Sequence, residues 1–331
     1  MWGHDELTEV TGTNHFGSFY TVNGTACNYV LMGGQDQQLY YYANAISTVM
    51  SSGGSQFVSF GAIARFNTIF QGGYQRVLSS GLSLDTVISS GGQQFAEYFG
   101  TAVRTTVGSG AYMYVSNYGR AAAVEIQRGG SQFVSYGAAV TSTNVSGWQM
   151  LSNGCSALNT TVNSGAWQYV RYACSASDAT VFSGGSLHIS QNCSYGGIKV
   201  SNGGWLGVYE GCTVSGIVFG QGMMYLCNYC GGTNISIGSG GTLYASYFCN
   251  LENVVVSSGG VFYLHSSNCN ATSTTVEGGG SFYLSRFNNA SGVTVGSGGL
   301  FYVASAASAF AVTSSAGANI TVETGGYIEY V

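Results

Sequence analysis

The segment VFSGGSLHI, residues Val181–Ile189, contains the pattern that decides the fold. The pattern is a hydrophobic residue, any two residues, Gly-Gly, any residue, then Gln, Leu or Phe, then an aromatic residue, and then Val or Leu. It recurs as VSSGGVFYL at Val256–Leu264. A fixed short period of this kind is typical of a solenoid. Aligned on the second glycine or its substitute, most steps are 19 residues long, and the positions are Gly34, Gly54, Gly73, Gly92, Ala111, Gly130, Gly147, Ala166, Gly185, Gly204, Gly222, Gly241, Gly260, Gly280, Gly299 and Gly326.

The residues that follow each glycine pair alternate with period two. The fourth position after the aligned glycine holds mostly Val or Leu, and the intervening positions are polar or aromatic. Period two with β-branched and aromatic residues predicts strands, and the glycines mark the corner between them. We therefore expect an all-β fold, a single-stranded parallel β-helix (β-solenoid) of about 16–17 turns. It would occupy residues 17–331, with a degenerate first turn at Gly17, after an N-terminal leader or cap at residues 1–16.

The residues at the second position after the aligned glycine predict a buried ladder of side-chain amides. This position changes from glutamine to apolar residues along the chain, so it faces inward. Stacked amides at the strand spacing can bond to the copies above and below. The glutamines are Gln56, Gln75, Gln94, Gln132, Gln149 and Gln168, and the later residues are Leu187, Leu206, Leu243, Phe262, Phe282 and Phe301.

Composition narrows the function classes. Only 6% of the 331 residues are charged, and 13 acids against 8 bases give a net charge of −5. Without a basic stripe, nucleic acid and anionic membranes are poor partners. Proline is absent, which suits strands paired on both sides, since proline lacks a ladder N–H. No apolar run is long enough to span a membrane, and the N-terminus lacks the basic and apolar regions of a signal peptide.

Most of the nine cysteines share one column of the repeat. The same place holds Ala62, Gly81 or Ala138 in earlier turns, which predicts a cramped inward position filled by small thiols. We favour buried thiols over scattered disulfides, because in-register Cβ atoms lie slightly too far apart for a disulfide. A metal site is favoured least, so none is predicted. The column is Cys155, Cys174, Cys193, Cys212, Cys230, Cys249 and Cys269.

An aromatic column lies between the two inward positions and is expected to face outward. Mutual stacking of the rings would stiffen the sheet. The alternative interpretation is a flat binding face for glycans or partner proteins. The column is Phe57, Phe95, Tyr114, Phe133, Tyr169, Tyr225, Tyr244, Tyr263, Tyr283 and Tyr302.

The pattern contains no catalytic constellation, and no cofactor is predicted. Polysaccharide-acting β-helix enzymes need clustered carboxylates. Here the acids occur at most once per turn and share no column; they are Asp85, Glu97, Glu125, Asp178, Glu210, Glu252 and Glu277. No nucleophile elbow, phosphate loop or dinucleotide fingerprint occurs in a suitable context.

The run V-x-S-G-G-x-Q-x-V at Val87–Phe95 and Ile126–Val134 resembles the AIDA-type repeat in passenger domains of bacterial autotransporter adhesins. The resemblance covers roughly residues 30–331. It implies a right-handed β-helix displayed on an outer membrane, with sugars on repeat serines or threonines. Two features depart from the family: the sequence carries no translocator barrel or signal peptide, and passengers tend to avoid cysteine. By position, the acceptor serines would be Ser51, Ser52, Ser89, Ser90, Ser183, Ser257 and Ser258.

The predicted function is a non-catalytic, adhesin-like repeat domain that mediates cell adhesion or autoaggregation, at the cell surface or after secretion. Its partners would be further copies of the chain, or glycans or proteins on host or bacterial surfaces. Two alternatives remain open at this stage. A repeat interrupted at Val331 would expose strand edges for end-to-end stacking into filaments. A polysaccharide-acting enzyme would need a cleft that gathers two or more carboxylates from different turns.

Overall fold

The computed structural model describes residues 9–11, 19–22, 24–266 and 268–331. Among these residues every regular element is a β-strand and no helix occurs. Nearly all strands pair in parallel with the equivalent strand of the next turn. The predicted all-β parallel solenoid, with about 16 turns and a spacing of roughly 19 residues, is confirmed.

The chain divides into two compact units. Unit 1 comprises residues 1–160 and 166–168, and unit 2 comprises residues 161–165 and 169–331. Each turn contributes one strand to a first sheet, and one long or two short strands to a second sheet. Strand Trp167–Val170 of the first sheet is shared between the two ranges.

In unit 1, the strands of the first sheet are Glu9–Thr11, Phe19–Val22, Asp36–Tyr40, Ser55–Val58, Tyr74–Val77, Gln93–Glu97, Tyr112–Ser116, Ser131–Val134 and Trp148–Leu151. Those of the second sheet are Thr25–Cys27, Val30–Leu31, Asn44–Ile46, Val49–Met50, Ile63–Arg65, Thr68–Ile69, Leu82–Leu84, Val87–Ile88, Thr101–Val103, Thr106–Val107, Arg120–Ala122, Glu125–Ile126, Ala139–Thr141, Asn144–Val145 and Ser156–Leu158.

In unit 2, the strands of the first sheet are Ser186–Ile189, Trp205–Tyr209, Met223–Cys227, Thr242–Ser246, Val261–Leu264, Ser281–Leu284, Leu300–Val303 and Asn319–Val322. Those of the second sheet are Thr161–Val162, Ser175–Ser177, Thr180–Val181, Ser194–Gly196, Lys199–Val200, Thr213–Phe219, Gly231–Ile237, Asn250–Val256, Asn270–Val276, Asn289–Ser291, Thr294–Val295, Ser308–Ser314 and Tyr327–Tyr330.

The predicted leader or cap at residues 1–16 lies mostly outside the described residues, as does the predicted first turn at Gly17. The described part, Glu9–Thr11, pairs antiparallel with Phe19–Val22. Phe19–Val22 in turn pairs in parallel with Asp36–Tyr40, as the repeat predicts for a solenoid strand.

Register is kept from turn to turn. Gln75 pairs with Gln56 of the preceding turn and with Gln94 of the following turn. Side chains alternate between buried and half-exposed along each first-sheet strand, as in Tyr74–Val77. The glycine pair closes the corner before this strand, because its first member, Gly72, adopts a positive φ of 75°.

The core of unit 1 contains the predicted amide ladder. Gln56, Gln75 and Gln94 are fully buried, and each side-chain Nε2 donates to the Oε1 of the glutamine one turn earlier at 2.7 Å, beginning at Gln37. Polar side chains of the second sheet complete the network. Ser83 Oγ donates to Gln75 Oε1 at 2.9 Å. The amides of Gln56, Gln75 and Gln94 are therefore satisfied without water, as burial requires.

The ladder is interrupted once in unit 1. Met113 occupies the column, and Gln132 Nε2 approaches its sulfur at 3.3 Å. The ladder then resumes, with Gln149 donating to Gln132 at 2.7 Å and Gln168 to Gln149 at 2.8 Å.

In unit 2 the same column is apolar and fully buried, with Leu187 and Leu206 followed later by phenylalanines. The rings of Phe262, Phe282 and Phe301 stack with centroids 4.6 and 5.0 Å apart. The one sequence column thus forms two kinds of core.

We predict that Gln75→Leu destabilises the protein although leucine fits this column in unit 2. It removes the donor to Gln56 Oε1 and the acceptor of Gln94 Nε2 and Ser83 Oγ, and buried polar groups that lose partners cost about 1–3 kcal/mol each. We expect a loss of about 2–4 kcal/mol in the free energy of unfolding in guanidinium chloride. The control Gln127→Leu, at an exposed position, should change it by less than about 0.5 kcal/mol. Equal stability of Gln75→Leu and wild type would contradict the ladder's role.

Candidate interaction surfaces

The aromatic column predicted from the sequence forms stacked ladders on the outer side of the first sheet. In unit 1, the ring centroids of Phe95 and Tyr114 lie 4.9 Å apart, and those of Tyr114 and Phe133 lie 5.2 Å apart, with nearly parallel planes. Phe57, at the other end, instead makes an edge contact with Tyr74. All four column residues of unit 1 are half-buried. We call the whole column the face ladder.

The longest run of the face ladder is in unit 2. Tyr225, Tyr244, Tyr263 and Tyr283 stack with successive centroid distances of 5.1, 5.0 and 4.8 Å. Tyr302 follows at 6.0 Å with a tilted ring. Each ring in the run covers the faces of its neighbours, so the ring edges are what remains accessible to a partner.

His188 occupies the face ladder in unit 2. Its ring centroid lies 4.8 Å from that of Tyr169 and 4.2 Å from that of Trp205. Burial lowers the pKa of His188 to about 4, because the packed rings desolvate the imidazolium. His188 is therefore neutral at physiological pH and serves as a third aromatic ring.

A second set of aromatic residues, not expected from the sequence, lies at the corner that follows many of the first-sheet strands. In unit 1 their exposed fractions range from 51% to 77%, well above those of the half-buried face ladder. We call this set the corner ridge; it comprises Tyr41, Tyr42, Phe60, Tyr98, Phe99, Tyr118 and Tyr136. A contiguous exposed apolar patch is uncommon on a soluble surface and marks an interaction site.

The backbone at the corner ridge is one that bulky residues avoid. Tyr98 and Phe99 have φ of 49° and 67°, and Tyr118 and Tyr136 have φ of 64° and 53°. The left-handed region costs a side chain with a Cβ about 1–2 kcal/mol, and glycine or asparagine is the usual choice. The equivalent corner at Asn153 shows that asparagine suits this fold. The backbone conformation therefore does not favour aromatic residues at this corner.

The rings of the corner ridge lie against one another from turn to turn. Phe99 and Tyr118 stack with centroids 5.7 Å apart, and Tyr41 and Phe60 with centroids 5.8 Å apart. A Cβ on Gly137 would lie 2.9 Å from the ring of Tyr118. Glycine at this position, with φ of 70°, therefore makes room for the tyrosine of the preceding turn.

Unit 2 has corner aromatics at equivalent positions, in a less continuous set: Tyr172, Tyr229, Tyr247, Phe248 and Phe287. Two of them carry a guanidinium over the ring, Arg171 at 5.3 Å from Tyr172 and Arg286 at 5.8 Å from Phe287. The corner ridge of unit 1 is therefore the more continuous set, interrupted at Ser79 and Ser80, and its own residues are uncharged.

The cysteine column lies in the interior, and all seven of its side chains are buried free thiols. In unit 2 the column is linked through sulfur: the backbone N–H of Cys174 donates to Cys193 Sγ at 3.3 Å, and that of Cys193 to Cys212 Sγ at 3.3 Å. Hydrogen bonds with Cys174 and Cys212, together with burial, raise the pKa of the Cys193 thiol. The thiol therefore stays protonated and weakly nucleophilic.

The serines proposed as sugar acceptors all lie at the glycine corner. Ser52, Ser90, Ser183 and Ser258 are exposed, whereas Ser51, Ser89 and Ser257 are partly buried. The exposed hydroxyls face a glycine of the next turn, since a Cβ on Gly203 would lie 2.9 Å from Ser183 Oγ. No side chain of that glycine covers the hydroxyl.

Several acids of the repeat are held in local pairs. Arg104 Nη2 donates to Asp85 Oδ2 at 2.8 Å, and this hydrogen bond holds the pKa of Asp85 below its usual value. Arg76 Nε donates to Glu97 Oε1 at 2.7 Å. The part of the chain that the structure describes contains no group of three or more His, Cys, Asp or Glu side chains placed to hold a metal ion.

A polar groove of about 600 Å³ lies on the second sheet of unit 2. Ser, Thr and Asn side chains line it, among them Asn250 and Asn270, which are linked by a 3.0 Å side-chain hydrogen bond. Glu252 is the one carboxylate in the lining. The paired carboxylates that glycoside hydrolysis requires are not gathered in this groove.

No protein-family model matches the chain, and no curated protein matches it either. Among solved structures, the chain is similar to the crystal structure of a TibC-catalysed, hyper-glycosylated fragment of TibA, at 29% sequence identity and a TM-score of 0.56. The alignment covers 92% of this chain and 99% of that chain. This likeness supports the relationship to autotransporter adhesin passengers that the repeat predicts.

Two carbohydrate-active proteins align more distantly. A GH87 α-1,3-glucanase catalytic unit from Streptomyces thermodiastaticus gives 11% identity and a TM-score of 0.30, over 82% of this chain and 62% of that chain. The Agl-KA catalytic domain gives 12% identity and a TM-score of 0.24, over 94% of this chain and 62% of that chain. Alignments this distant carry no functional argument. Among the described residues, no helix is long and apolar enough to cross a membrane.

We predict that His188 makes stability depend on pH below neutrality. Its folded pKa of about 4 lies below the unfolded value near 6.5, so the unfolded chain binds the proton first. The stabilising contribution is complete above about pH 6.5 and is lost as the pH falls towards 4. His188→Tyr, which places a tyrosine in the face ladder, should flatten the decline in melting temperature between pH 7 and 4. An NMR titration that gave His188 a pKa near 6.5 would contradict the burial argument.

We predict that thiol labelling separates the cysteines by position. In the native protein, N-ethylmaleimide should react first with exposed Cys27 and more slowly with partly exposed Cys227, as mapped by mass spectrometry. The seven column thiols should react only after unfolding, because they are buried and free. A column cysteine that stays unlabelled after unfolding without reductant, and reacts once reductant is added, would identify a disulfide and contradict this assignment.

Proposed function

We propose that this chain is a non-catalytic, adhesin-like repeat domain that acts at a cell surface or after secretion, in cell adhesion or autoaggregation. The observation that carries this proposal is the likeness to the TibA fragment, which extends over 92% of the chain at 29% identity. The parallel solenoid supports it further, because such a fold presents the same side chains in every turn along one surface.

The absence of catalysis is part of the proposal. Its support is the arrangement of the acids: Asp85 and Glu97 are paired with arginines, and the polar groove of unit 2 contains one carboxylate, Glu252. These groups are dispersed over separate turns, so none forms the acid–base pair that a glycosidase needs. This arrangement of the acids fits a surface that binds a partner without catalysing a reaction.

Sugar modification of the glycine corner is also proposed. The TibA fragment is hyper-glycosylated by TibC. On this chain the exposed hydroxyls of Ser52, Ser90, Ser183 and Ser258 are the accessible acceptors. We expect Ser51, Ser89 and Ser257 to be poorer acceptors, since they are partly buried. A bulky sugar at an exposed corner leaves the turn-to-turn hydrogen bonds of the strands intact.

The binding role of the face ladder remains a proposal as well. Its half-buried rings present edges and phenol hydroxyls, and Tyr225, Tyr244 and Tyr263 form its most regular stretch. Surface proteins of other cells are the proposed partners of this face, because its stacked rings cover one another's flat faces, which a sugar would need. Further copies of the chain are the proposed partners in autoaggregation.

The test is display of the full chain on a non-aggregating bacterium through a heterologous translocator. We expect cells that display it to settle several-fold faster, or to adhere several-fold better to a cultured monolayer, than cells with the translocator alone. A matched control displays Tyr244→Pro. This change breaks the backbone hydrogen bonding between strands of the first sheet, because proline lacks the N–H. The proposal would be rejected if cells that display the wild-type chain, at the same surface level as the control, neither aggregate nor adhere.

A further inference from the structure

We propose that the corner ridge of unit 1 is the surface through which this chain binds a second copy of itself. The inference rests on the proposed function and names the partner in autoaggregation. The ridge is exposed and apolar and recurs in five turns of unit 1, with Tyr42 at 77% and Phe99 at 62% exposure. Its aromatic residues occupy left-handed backbone that asparagine occupies at Asn153, so the backbone conformation does not require them.

A sugar is a poor occupant for this surface. Carbohydrates bind aromatic residues by laying their C–H faces on the flat face of a ring. In the ridge those faces are turned towards neighbouring turns, as in Phe99 against Tyr118, where the planes are 10° apart. The rings therefore direct their edges outward, and an edge packs best against other rings or aliphatic side chains.

A charged partner is equally unsuited. None of the ridge residues carries a formal charge, and the whole chain has only 8 basic residues. An acidic polysaccharide, a nucleic acid or an anionic lipid surface would find no row of cations at this corner. For the same reason two copies can approach each other here with little electrostatic repulsion.

A second copy matches the ridge in spacing. The rings follow the turns, with a gap at the turn of Ser79 and Ser80, and successive turns are separated by the strand spacing of about 4.8 Å. Any partner without this period falls out of step after one or two rings. Another solenoid of the same rise repeats each ring-to-ring contact along the ridge, so weak contacts add up.

The area of the ridge is sufficient for a specific contact. Aromatic side chains bury about 150–250 Å² when fully enclosed, so seven rings at half exposure or more offer roughly 700 Å². A stable interface buries about 800 Å² on each partner. The ridge therefore supplies most of one side of such an interface.

The sequence itself provides a substitution that removes rings without disturbing the corner. Ser79 and Ser80 occupy the ridge position of the intervening turn, with φ of 48° and 64°, and Ser79 N–H donates to the Tyr98 carbonyl oxygen at 2.9 Å. Serine pairs are thus compatible with this backbone. The ridge variant Y41S/Y42S/Y98S/F99S copies this native corner at two other turns.

The control must lose exposed aromatic surface elsewhere in unit 1. Phe66 and Phe70 are 59% and 45% exposed and lie outside the ridge. Their equivalents in other turns are Asn159 and Ser51, so F66N/F70S is compatible with the fold. A second ridge variant, Y136N, takes its residue from Asn153 and guards against misfolding of the fourfold variant.

The experiment is sedimentation velocity of the full chain over a concentration series from about 1 to 200 μM, with circular dichroism to check the fold. We expect wild type to self-associate, the ridge variant to raise the dissociation constant at least tenfold, and Y136N to raise it two- to fivefold. F66N/F70S should stay within twofold of wild type. The assignment is overturned by a wild type that remains monomeric, by ridge variants that associate like wild type, or by equal weakening in the control.

These outcomes separate this inference from the proposed function. Displayed cells that aggregate although the purified chain is monomeric, or although its ridge variant associates normally, would overturn the ridge alone. Association through the ridge in solution, without aggregation or adhesion of displaying cells, would support the ridge and reject the proposed function. Glycan binding by a monomeric wild type that is lost in the ridge variant would identify a sugar as the occupant and overturn the second copy.

Discussion

In-register hydrogen bonding between successive turns is the constraint on which the rest of this structure depends. Backbone groups of each strand bond to the equivalent residues of neighbouring turns, as Gln75 does with Gln56 and Gln94. Each side chain is therefore stacked on the residue of the same repeat position. Side chains must suit their own copies, and this explains both the lack of proline and the small part that charge plays in the chain.

The same constraint makes a polar core acceptable in unit 1 and an apolar one acceptable in unit 2. A single buried glutamine would lack partners, whereas a column of glutamines supplies a donor and an acceptor to each neighbour. Met113 shows how local the requirement is, because the ladder stops there and resumes at Gln132. In unit 2, Phe262 and Phe282 solve the same geometric problem by ring stacking instead of hydrogen bonds.

The sequence predicted what alternation and period encode, and it missed what the corners encode. Positions such as Gln75 and Val77 alternate with period two, so their burial follows from the pattern alone. Phe99 lies in a left-handed turn, where glycine and asparagine are the expected residues and the alternation of a strand gives no signal. A tally of residues six and seven positions after the aligned glycine would have revealed the ridge. Mutual stacking was one interpretation of the aromatic column, but the sequence pattern does not fix the planes of the rings, which decide whether their faces are open to a partner.

Stacking also decides which of the two aromatic columns has a surface to offer. On the first sheet, strands hold the rings at the pitch of the solenoid, so Tyr244 and Tyr263 cover each other and stay half-buried. At the corner the chain turns sharply, and the side chains point away from the sheet with most of their surface uncovered. The exposed corner aromatics carry a cost in backbone strain that the half-buried face ladder avoids. A chain with few charges has few ionic contacts with which to recognise a partner. Recognition is therefore expected where apolar surface is both exposed and repeated.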